Sequence, residues 1–334
     1  MKLLVTGGAG FIGSNFIHHI LGEHSSWTIT NLDKLTYAGN LENLKDIENN
    51  PRYRFVKGDI ANRELINSLL QEKIDVIVNF AAESHVDRSI MDASSFIETN
   101  TKGTQTLLEG ARQYHTGKFI QVSTDEVYGS MQNGKFTEQS PLSPNSPYAA
   151  SKTAADLLCH ACWKTYQLPI IVTRCSNNLG PFQFPEKLIP LAVTNALEDK
   201  LIPIYGDGLN VRDWIYVLDH CRALDLTIQE GKPGEVYNVA ASQEKTNLEL
   251  IQQLLDIMGK PRSLITFVTD RPGHDRRYAL DASKITHELG WKPLYSFEKA
   301  LADTIDWYVN HERWWRQIKS GEYARYYEEM YFHR

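Results

Sequence analysis

The tightest constraint on the fold is the run Gly7-Gly8-Ala9-Gly10-Phe11-Ile12-Gly13, which follows a short apolar segment and opens an amphipathic one. Glycines at 7, 10 and 13 give a G-x-x-G-x-x-G spacing. A strand that turns at once into a helix needs the first glycine for the tight turn. The second lets backbone approach a pyrophosphate, and the third lets helix pack on strand, with the helix N-terminus facing the phosphates. Ordinary strand–helix turns also carry glycine, so the next acidic residue matters. A second apolar segment over 28–32 ends in Asp33, about 20 residues past the last glycine, where a carboxylate accepts hydrogen bonds from a ribose diol and repels a 2′-phosphate. Together these signals predict a dinucleotide-binding unit that takes NAD rather than NADP.

The pattern continues downstream. Strands are expected over 2–6, 52–57, 74–80, 118–122 and 169–174, with helices between them, one running to about residue 21 and the longest over 93–114. The 74–80 run is almost wholly apolar, as a central parallel strand is. This alternation predicts an α/β fold with a Rossmann-type, doubly wound parallel sheet over 1–175. Ala81 and Ala82, small residues after the 74–80 strand, would let a cofactor lie close to the strand end. Residues 34–50 read as a polar loop. Asp59 can reach an adenine amino group or cap the helix starting near Asn62. From Cys175 to Pro181 regularity is lost; short strands (201–204, 212–216, 236–239, 265–268) then mix with helices (187–197, 218–229, 247–258, 283–289, 297–310). Residues 176–310 thus read as a smaller mixed α/β substrate-binding domain, some of whose segments return to the sheet. Residues 311–334 form an aromatic-rich tail with Trp314, Trp315, Tyr323, Tyr326, Tyr327, Tyr331 and Phe332, suited to packing rather than disorder.

The chemistry concentrates in Val122-Ser-Thr-Asp-Glu-Val-Tyr-Gly129, read with Tyr148-Ala-Ala-Ser-Lys152. A β-rich run delivers one hydroxyl and two adjacent carboxyls to a loop. Tyr148 and Lys152 lie four apart, on one helix face, so the ammonium is expected to lower the phenol pKa and make it a usable base. Thr124, Asp125, Glu126 and Tyr148 offer more proton-transfer chemistry than a simple alcohol oxidation needs. Adjacent Asp-Glu pairs are usually solvated surface, and Tyr-x-x-x-Lys is frequent by chance. Their order behind a dinucleotide fingerprint is what gives them weight.

Composition excludes several classes. The chain has 334 residues, 42% of them hydrophobic, which allows a sizeable core, and a net charge of -6. No basic field exists to attract nucleic acid. No apolar run reaches the ~18 residues of a membrane span, and the N-terminus enters a strand directly, so a cytoplasmic location is expected. Four cysteines make no disulfide framework. Cys159 and Cys162, three apart on the Tyr148 helix, read as packing residues. The 11 histidines show no H-E-x-x-H spacing; His18 and His19 fall in the first helix, partly exposed, and His85 with Asp87 supplies two ligands, which do not make a site. No metal is expected.

With these residues assembled, the chain resembles the extended short-chain dehydrogenase/reductase superfamily and, within it, the dTDP-glucose 4,6-dehydratase family. The likeness runs over residues 1 to about 310. It rests on Gly7 to Ser14, Asp33-Lys-Leu-Thr-Tyr-Ala-Gly-Asn40, Ala81-Ala-Glu-Ser-His-Val-Asp-Arg88, Thr124 to Gly129, Pro185-Glu-Lys-Leu-Ile-Pro190, Arg212-Asp-Trp214 and Asp270-Arg-Pro-Gly-His-Asp-Arg-Arg277. Thr124-Asp125-Glu126 discriminates: related epimerases lack the acidic pair, and decarboxylases and other dehydratases carry different residues there. Leu179 departs from a usual tyrosine and Ser130 from a usual aspartate.

The resemblance implies the following roles. Tyr148, with Lys152 and Thr124, takes the C4 hydroxyl proton while hydride passes to NAD; Glu126 takes the C5 proton; Asp125, protonated, gives a proton to the departing C6 hydroxyl. Hydride returns to C6, and NAD stays bound throughout. Cofactor contacts carried over are Gly7, Gly10, Phe11, Ile12, Gly13, Asp33, Lys34, Leu35, Thr36, Asp59, Ile60, Ala81, Ala82, Ser84, Thr99, Tyr148, Lys152 and Asn178. Contacts to the nucleotide-diphosphate sugar are Ser84, Thr124, Asn177, Lys187, Leu188, Pro203, Ile204, Tyr205, Arg212, Asn247, Arg271 and His274. Arg212 and Arg271 suit diphosphate clamps, though without the resemblance surface ion pairs would explain them. Tyr205 suits stacking on a pyrimidine or a plain core position. A homodimer through helices near 93–114 and 148–166 is also implied. Two other readings stay open: an NAD-dependent sugar-nucleotide epimerase or decarboxylase, against which Asp125 argues, and a non-catalytic NAD-binding protein, which commonly loses the tyrosine or lysine present here.

Overall fold

The computed structural model describes residues 1–320. The first half of the chain builds β1 (Lys2–Thr6), α1 (Phe11–Glu23), β2 (Thr28–Asp33), β3 (Tyr53–Lys57), α2 (Arg63–Leu70) and β4 (Val76–Asn79). It continues with α3 (Val86–Met91), α4 (Ser94–Phe96), a π-helical segment Ile97–Gly103, α5 (Thr104–Gln113), β5 (Lys118–Thr124), α6 (Pro147–Tyr166) and β6 (Ile170–Cys175). Then come β7 (Asn177–Leu179), α7 (Leu188–Leu197), β8 (Ile202–Tyr205), β9 (Val211–Tyr216), α8 (Val217–Glu230) and β10 (Val236–Val239). The last elements are β11 (Glu244–Thr246), α9 (Asn247–Met258), β12 (Ile265–Val268), α10 (Ser283–Leu289), α11 (Phe297–Asn310) and α12 (Glu312–Lys319).

Seven strands pair in the order β10-β6-β5-β4-β1-β2-β3, all parallel, as expected of a doubly wound sheet. Because side chains alternate along a strand, Leu3 and Val5 enter one core with Phe16 and Ile17 of α1 and Leu224 of α8. Leu4 enters the other with Ile66 of α2, Leu107 of α5 and Cys159 of α6. Successive strands run from β1 outward to β3, then restart at β4 on the other side of β1. That reversal opens a crevice at the strand C-termini. β10 and α8 return from the second half to this layer. A third core unites α7, α9, α11 and Trp315 of α12; it lies beside the three-stranded sheet β11-β9-β7 and the β12-β8 pair.

Three local readings differ from the sequence expectation. The helix expected over 93–114 is broken by the π-helical segment Ile97–Gly103. There the Asn100 amide turns aside to bind the Glu83 backbone (2.9 Å to N and to O) and the Ser151 hydroxyl (2.8 Å). The loop over 34–50 contains a 3-10 segment, Leu41–Ile47, capped by Asn40. The irregular stretch after Cys175 holds β7, paired with β9. In the tail, α12 buries Trp315, whose indole donates to the Tyr308 carbonyl at 3.0 Å, while Trp314 donates to Asn43 at 2.9 Å. The expectation for Tyr323, Tyr326, Tyr327, Tyr331 and Phe332 lies outside the described residues.

Candidate active site

One cleft follows the strand C-termini from the glycine loop to the Thr124–Glu126 turn. Gly7 stands at φ +70, and a Cβ there would come within 2.6 Å of the Ala81 nitrogen after β4. The glycine loop and the β4 loop are therefore packed backbone on backbone at the crevice. At Gly13 a Cβ would lie 2.4 Å from the Gly7 carbonyl oxygen, so the start of α1 is held against that loop. Gly10 caps α1 without a side-chain hydrogen bond, and no acidic side chain occupies the first turn. The first amides of a 13-residue helix thus face the cleft uncapped, which suits a pyrophosphate. Asp33 ends β2, accepting from Ala9 N (2.9 Å) and Leu35 N (2.8 Å). Burial raises its pKa and the two backbone bonds oppose that rise. The residues present fit an adenine dinucleotide: a cradle that side chains would fill, an open helix terminus, and a carboxylate beyond it.

Of the expected cofactor residues, Gly7, Gly10, Phe11, Ile12, Gly13, Asp33, Lys34, Thr36, Asp59, Ile60, Ala81, Ala82, Ser84, Thr99, Tyr148, Lys152 and Asn178 line the cleft. Leu35 does not; it stands at φ 56 and contributes its backbone N–H to Asp33. Asp59 is not the cap of α2. Asn62 fills that role, accepting from Leu65 N, while Asp59 pairs with Lys34 at 2.7 Å. The Asn178 amide is engaged from within, donating to the Ser176 carbonyl (2.9 Å) and meeting His220 (3.0 Å).

At the other end of the cleft β5 delivers Thr124, and the chain leaves the sheet in a 3-10 turn, Asp125–Tyr128. The Thr124 hydroxyl donates to Asp125 Oδ1 (3.1 Å) and accepts from the Glu126 backbone (3.2 Å). Asp125 Oδ2 is buried with no hydrogen-bond partner. Burial first, then Glu126, pushes the Asp125 carboxyl up to about 8, so it is mostly protonated at neutral pH. Glu126 is raised by burial and held back by Arg271, Arg212 and Lys187.

α6 begins at a Ser146 cap and carries Tyr148 and Lys152, both buried, into the same cleft. The lowering of the phenol pKa expected from Lys152 is overridden. Burial, then Glu126, drives the Tyr148 phenol well above its ordinary value, and a hydrogen bond with Thr124 opposes this. The Lys152 ammonium donates to the Val122 carbonyl at 2.7 Å, and burial lowers its own pKa.

The expected sugar-nucleotide residues divide. Ser84, Thr124, Asn177, Lys187 and Leu188 line the cleft; the Lys187 ammonium donates to the Ser84 carbonyl at 2.9 Å. Pro203, Ile204, Tyr205, Arg212, Asn247, Arg271 and His274 are not among its lining residues. Pro203 and Ile204 sit in β8 against β12, and Ile204 is core. Tyr205 is no plain core residue: its hydroxyl donates to Asp87 (3.1 Å), which also faces Arg271 at 3.7 Å, and its ring meets His274 edge-on at 6.2 Å. Arg212 is buried on the Tyr278 ring (4.3 Å) and donates to the Val211 and Asp275 carbonyls (2.7 and 2.9 Å). Asn247 opens α9, its N–H on the Asn210 carbonyl.

Several cleft residues escaped the sequence reading. Glu186, buried, lines it while taking Arg88 Nε at 3.3 Å and hydrogen-bonding Tyr37. Glu83, Gln183 and Trp214 line it too. Glu83, Glu186 and Trp214 fall inside the stretches that carry the family likeness, which was the signal available. Cys159 and Cys162 are free thiols, the first fully packed.

A parallel sheet with a dinucleotide cradle, and a Tyr-x-x-x-Lys helix facing it, define an extended short-chain dehydrogenase/reductase, and residues 4–304 match the family model described as GDP-mannose 4,6 dehydratase. The chain is 50% identical over 340 residues to the dTDP-glucose 4,6-dehydratase of Xanthomonas campestris pv. campestris strain B100, with 96% of each chain covered. The dTDP-glucose 4,6-dehydratase of Bacillus anthracis, solved in complex with NAD, superposes with a TM-score of 0.90 at 54% identity, covering 96% of this chain and 100% of that one. DesIV of Streptomyces venezuelae, the same enzyme with NAD bound, gives 0.94 at 51% with the same coverage. The chain belongs to the dTDP-glucose 4,6-dehydratase family.

Proposed function

We propose that the protein dehydrates dTDP-glucose to dTDP-4-keto-6-deoxyglucose with NAD as a retained cofactor, a hydro-lyase step toward deoxysugars of the dTDP-rhamnose type. The observation that carries this reading is the buried carboxyl pair. Asp125 holds its proton up to about pH 8, while Glu126 stands among three cations, both beside Tyr148 and Thr124. An epimerase has no use for such an acid.

NAD, when bound, supplies a reversible hydride acceptor. Tyr148, relayed through Thr124, takes the proton of the C4 hydroxyl, and Lys152 on the same helix face supplies the positive charge the phenolate form needs. The 4-ketone acidifies C5–H, and Glu126 takes that proton. Asp125 then protonates the C6 hydroxyl, which leaves as water across C5–C6; C6 takes back the hydride first removed from C4 and C5 takes a proton, which gives the 4-keto-6-deoxy sugar. Elimination needs a proton donor beside a base: Asp125, raised to about 8, is the donor, while Arg271, Arg212 and Lys187 hold back the rise at Glu126. Residues 1–175, with α8 and β10, hold the cofactor. The remainder of 176–310 holds the sugar nucleotide, with Lys187, Arg212 and Arg271 toward the diphosphate and Tyr205, Asn247 and His274 toward the base.

No helix among the described residues is long and apolar enough to cross a membrane, and the reading places the enzyme in the cytoplasm. It also makes the protein a homodimer through the α4–α5 and α6 region, where Ile97, Leu157 and Tyr166 are 58%, 55% and 55% exposed. Incubation with dTDP-glucose, followed by NMR of the nucleotide sugar, tests the function. The expected product is the 4-keto-6-deoxy sugar; a C4 epimer, or unchanged substrate from folded, NAD-loaded protein, would contradict it.

A further inference from the structure

Two chain segments must be held in register for such a reaction, the Asp125–Tyr128 turn and the helix carrying Tyr148 and Lys152. A single buried side chain reaches both. Arg174, near the end of β6, donates from Nε to Asp156 Oδ2 at 2.9 Å and from Nη1 to the Tyr128 hydroxyl at 2.9 Å. Asp156 lies on α6 one turn beyond Lys152, and Tyr128 closes the turn that begins at Asp125. The Tyr128 hydroxyl donates a hydrogen bond to Asn238 Oδ1 of β10 at 2.8 Å, and the Asn238 amide donates to the Phe136 and Asp281 carbonyls (3.1 and 3.3 Å). Arg174 and Asp156 are 7% and 2% exposed at the side chain. None of Arg174, Tyr128 or Asp156 lines the cleft.

From this geometry we infer that Arg174 and Tyr128 are positioning residues, which fix the elimination carboxyls relative to the Tyr148–Lys152 helix. The inference rests on the dehydration reading above. Thr124 is still in the strand ladder, opposite Cys175 of β6. Asp125 and Glu126 have left it. Beyond them the turn is tied by two backbone bonds, Gly129 N to Glu126 O (3.2 Å) and Ser143 N to Val127 O (3.0 Å), and by the Tyr128 hydroxyl. Loosening that hydroxyl therefore moves Asp125 and Glu126 more than it moves Thr124 or Tyr148. A guanidinium suits the task because its rigid fork serves two acceptors in fixed directions.

Tyr128→Phe tests this with the least disturbance, since the ring and its stack on Phe136 (5.0 Å between centroids, 10° between planes) remain. Oxidation at C4 should survive while elimination slows, by about 10- to 100-fold for a displacement of ångström scale. During turnover of dTDP-glucose the bound nicotinamide should then stand largely reduced, seen by its absorbance, whereas in the wild type it stands largely oxidised. Arg174→Lys, which keeps a cation on Asp156 but loses the fork, should do the same. Unchanged turnover in both variants overturns the inference, as does slowed turnover with the nicotinamide as oxidised as in the wild type, the result of a merely structural loss. Glu126→Gln serves as the control. If it accumulates reduced nicotinamide and Tyr128→Phe does not, only the positioning role fails. If Glu126→Gln does not accumulate it either, the dehydration reading itself has failed.

Discussion

Asp125 is a carboxyl with one oxygen on a hydroxyl and the other buried without a partner, and its titration follows from that. It ionises near 3.8 in the unfolded chain and about 8 in the folded one. Between those values the folded state holds the extra proton, so its contribution to stability falls as pH rises from 3.8 to about 8 and is level above. Asp125→Asn removes that slope: thermal unfolding followed across this range should show the variant losing less stability than the wild type. Turnover should fall on the alkaline side as the acid is lost near 8. In Asp125→Asn it should be reduced ~10²–10⁴-fold with no such limb; an unaltered alkaline limb would remove Asp125 as the acid. Asp33 makes a second residue-scale prediction. Two backbone N–H groups already face its carboxylate, and its remaining lone pairs can take a ribose diol but repel a 2′-phosphate. Mass spectrometry of the nucleotide released from purified protein should find NAD. Asp33→Ala should retain less of it, by roughly the 1.5–3 kcal/mol of hydrogen bonds to a charged group, and mainly NADP in the wild type would contradict the assignment.

At the scale of elements, the glycine loop and α6 were the most legible parts of the chain, because their signals are local. G-x-x-G-x-x-G needs only a turn and a helix start, and Tyr148 with Lys152 needs only the helical repeat. The Gly13 position makes this testable. With a Cβ 2.4 Å from the Gly7 oxygen and 2.7 Å from Gly8 Cα, Gly13→Ala forces backbone apart. Unfolding should show a loss of about 1–3 kcal/mol, and the purified variant should carry less NAD; wild-type stability and NAD content would mean the contact yields freely. Illegible were the features set by distant partners. The π-helical turn at Ile97–Gly103 follows from Asn100 reaching Glu83 and Ser151. Arg174 matters because β6 brings it within reach of both Tyr128 in the Asp125 turn and Asp156 on α6. The direction of the Tyr148 shift is hidden for the same reason: sequence shows a lysine one turn away but not the burial that outweighs it.

Across the whole molecule, the sheet brings the glycine loop, Asp33, the Thr124–Glu126 turn, Tyr148 and Lys152 to one crevice, and the second half of the chain returns β10 and α8 to the same layer. Ile97, in the segment leading into α5, and Leu157 and Tyr166 on α6 are exposed apolar side chains, and the proposed homodimer would cover them. Leu157→Glu combined with Ile97→Glu should convert the dimer to monomer in sedimentation; wild-type protein sedimenting as a monomer would contradict that assembly. In the proposed mechanism oxidation and elimination use different groups in one site, Tyr148 with Lys152 for the first and Glu126 with Asp125 for the second. It is tested most directly by mixing NAD-loaded Glu126→Gln with dTDP-glucose and following the cofactor absorbance and the C5 hydrogen in deuterated water. Reduced nicotinamide and a 4-ketoglucose nucleotide should build up and stall, with C5 exchange suppressed. Rapid C5 exchange with normal formation of the 4-keto-6-deoxy product would contradict it.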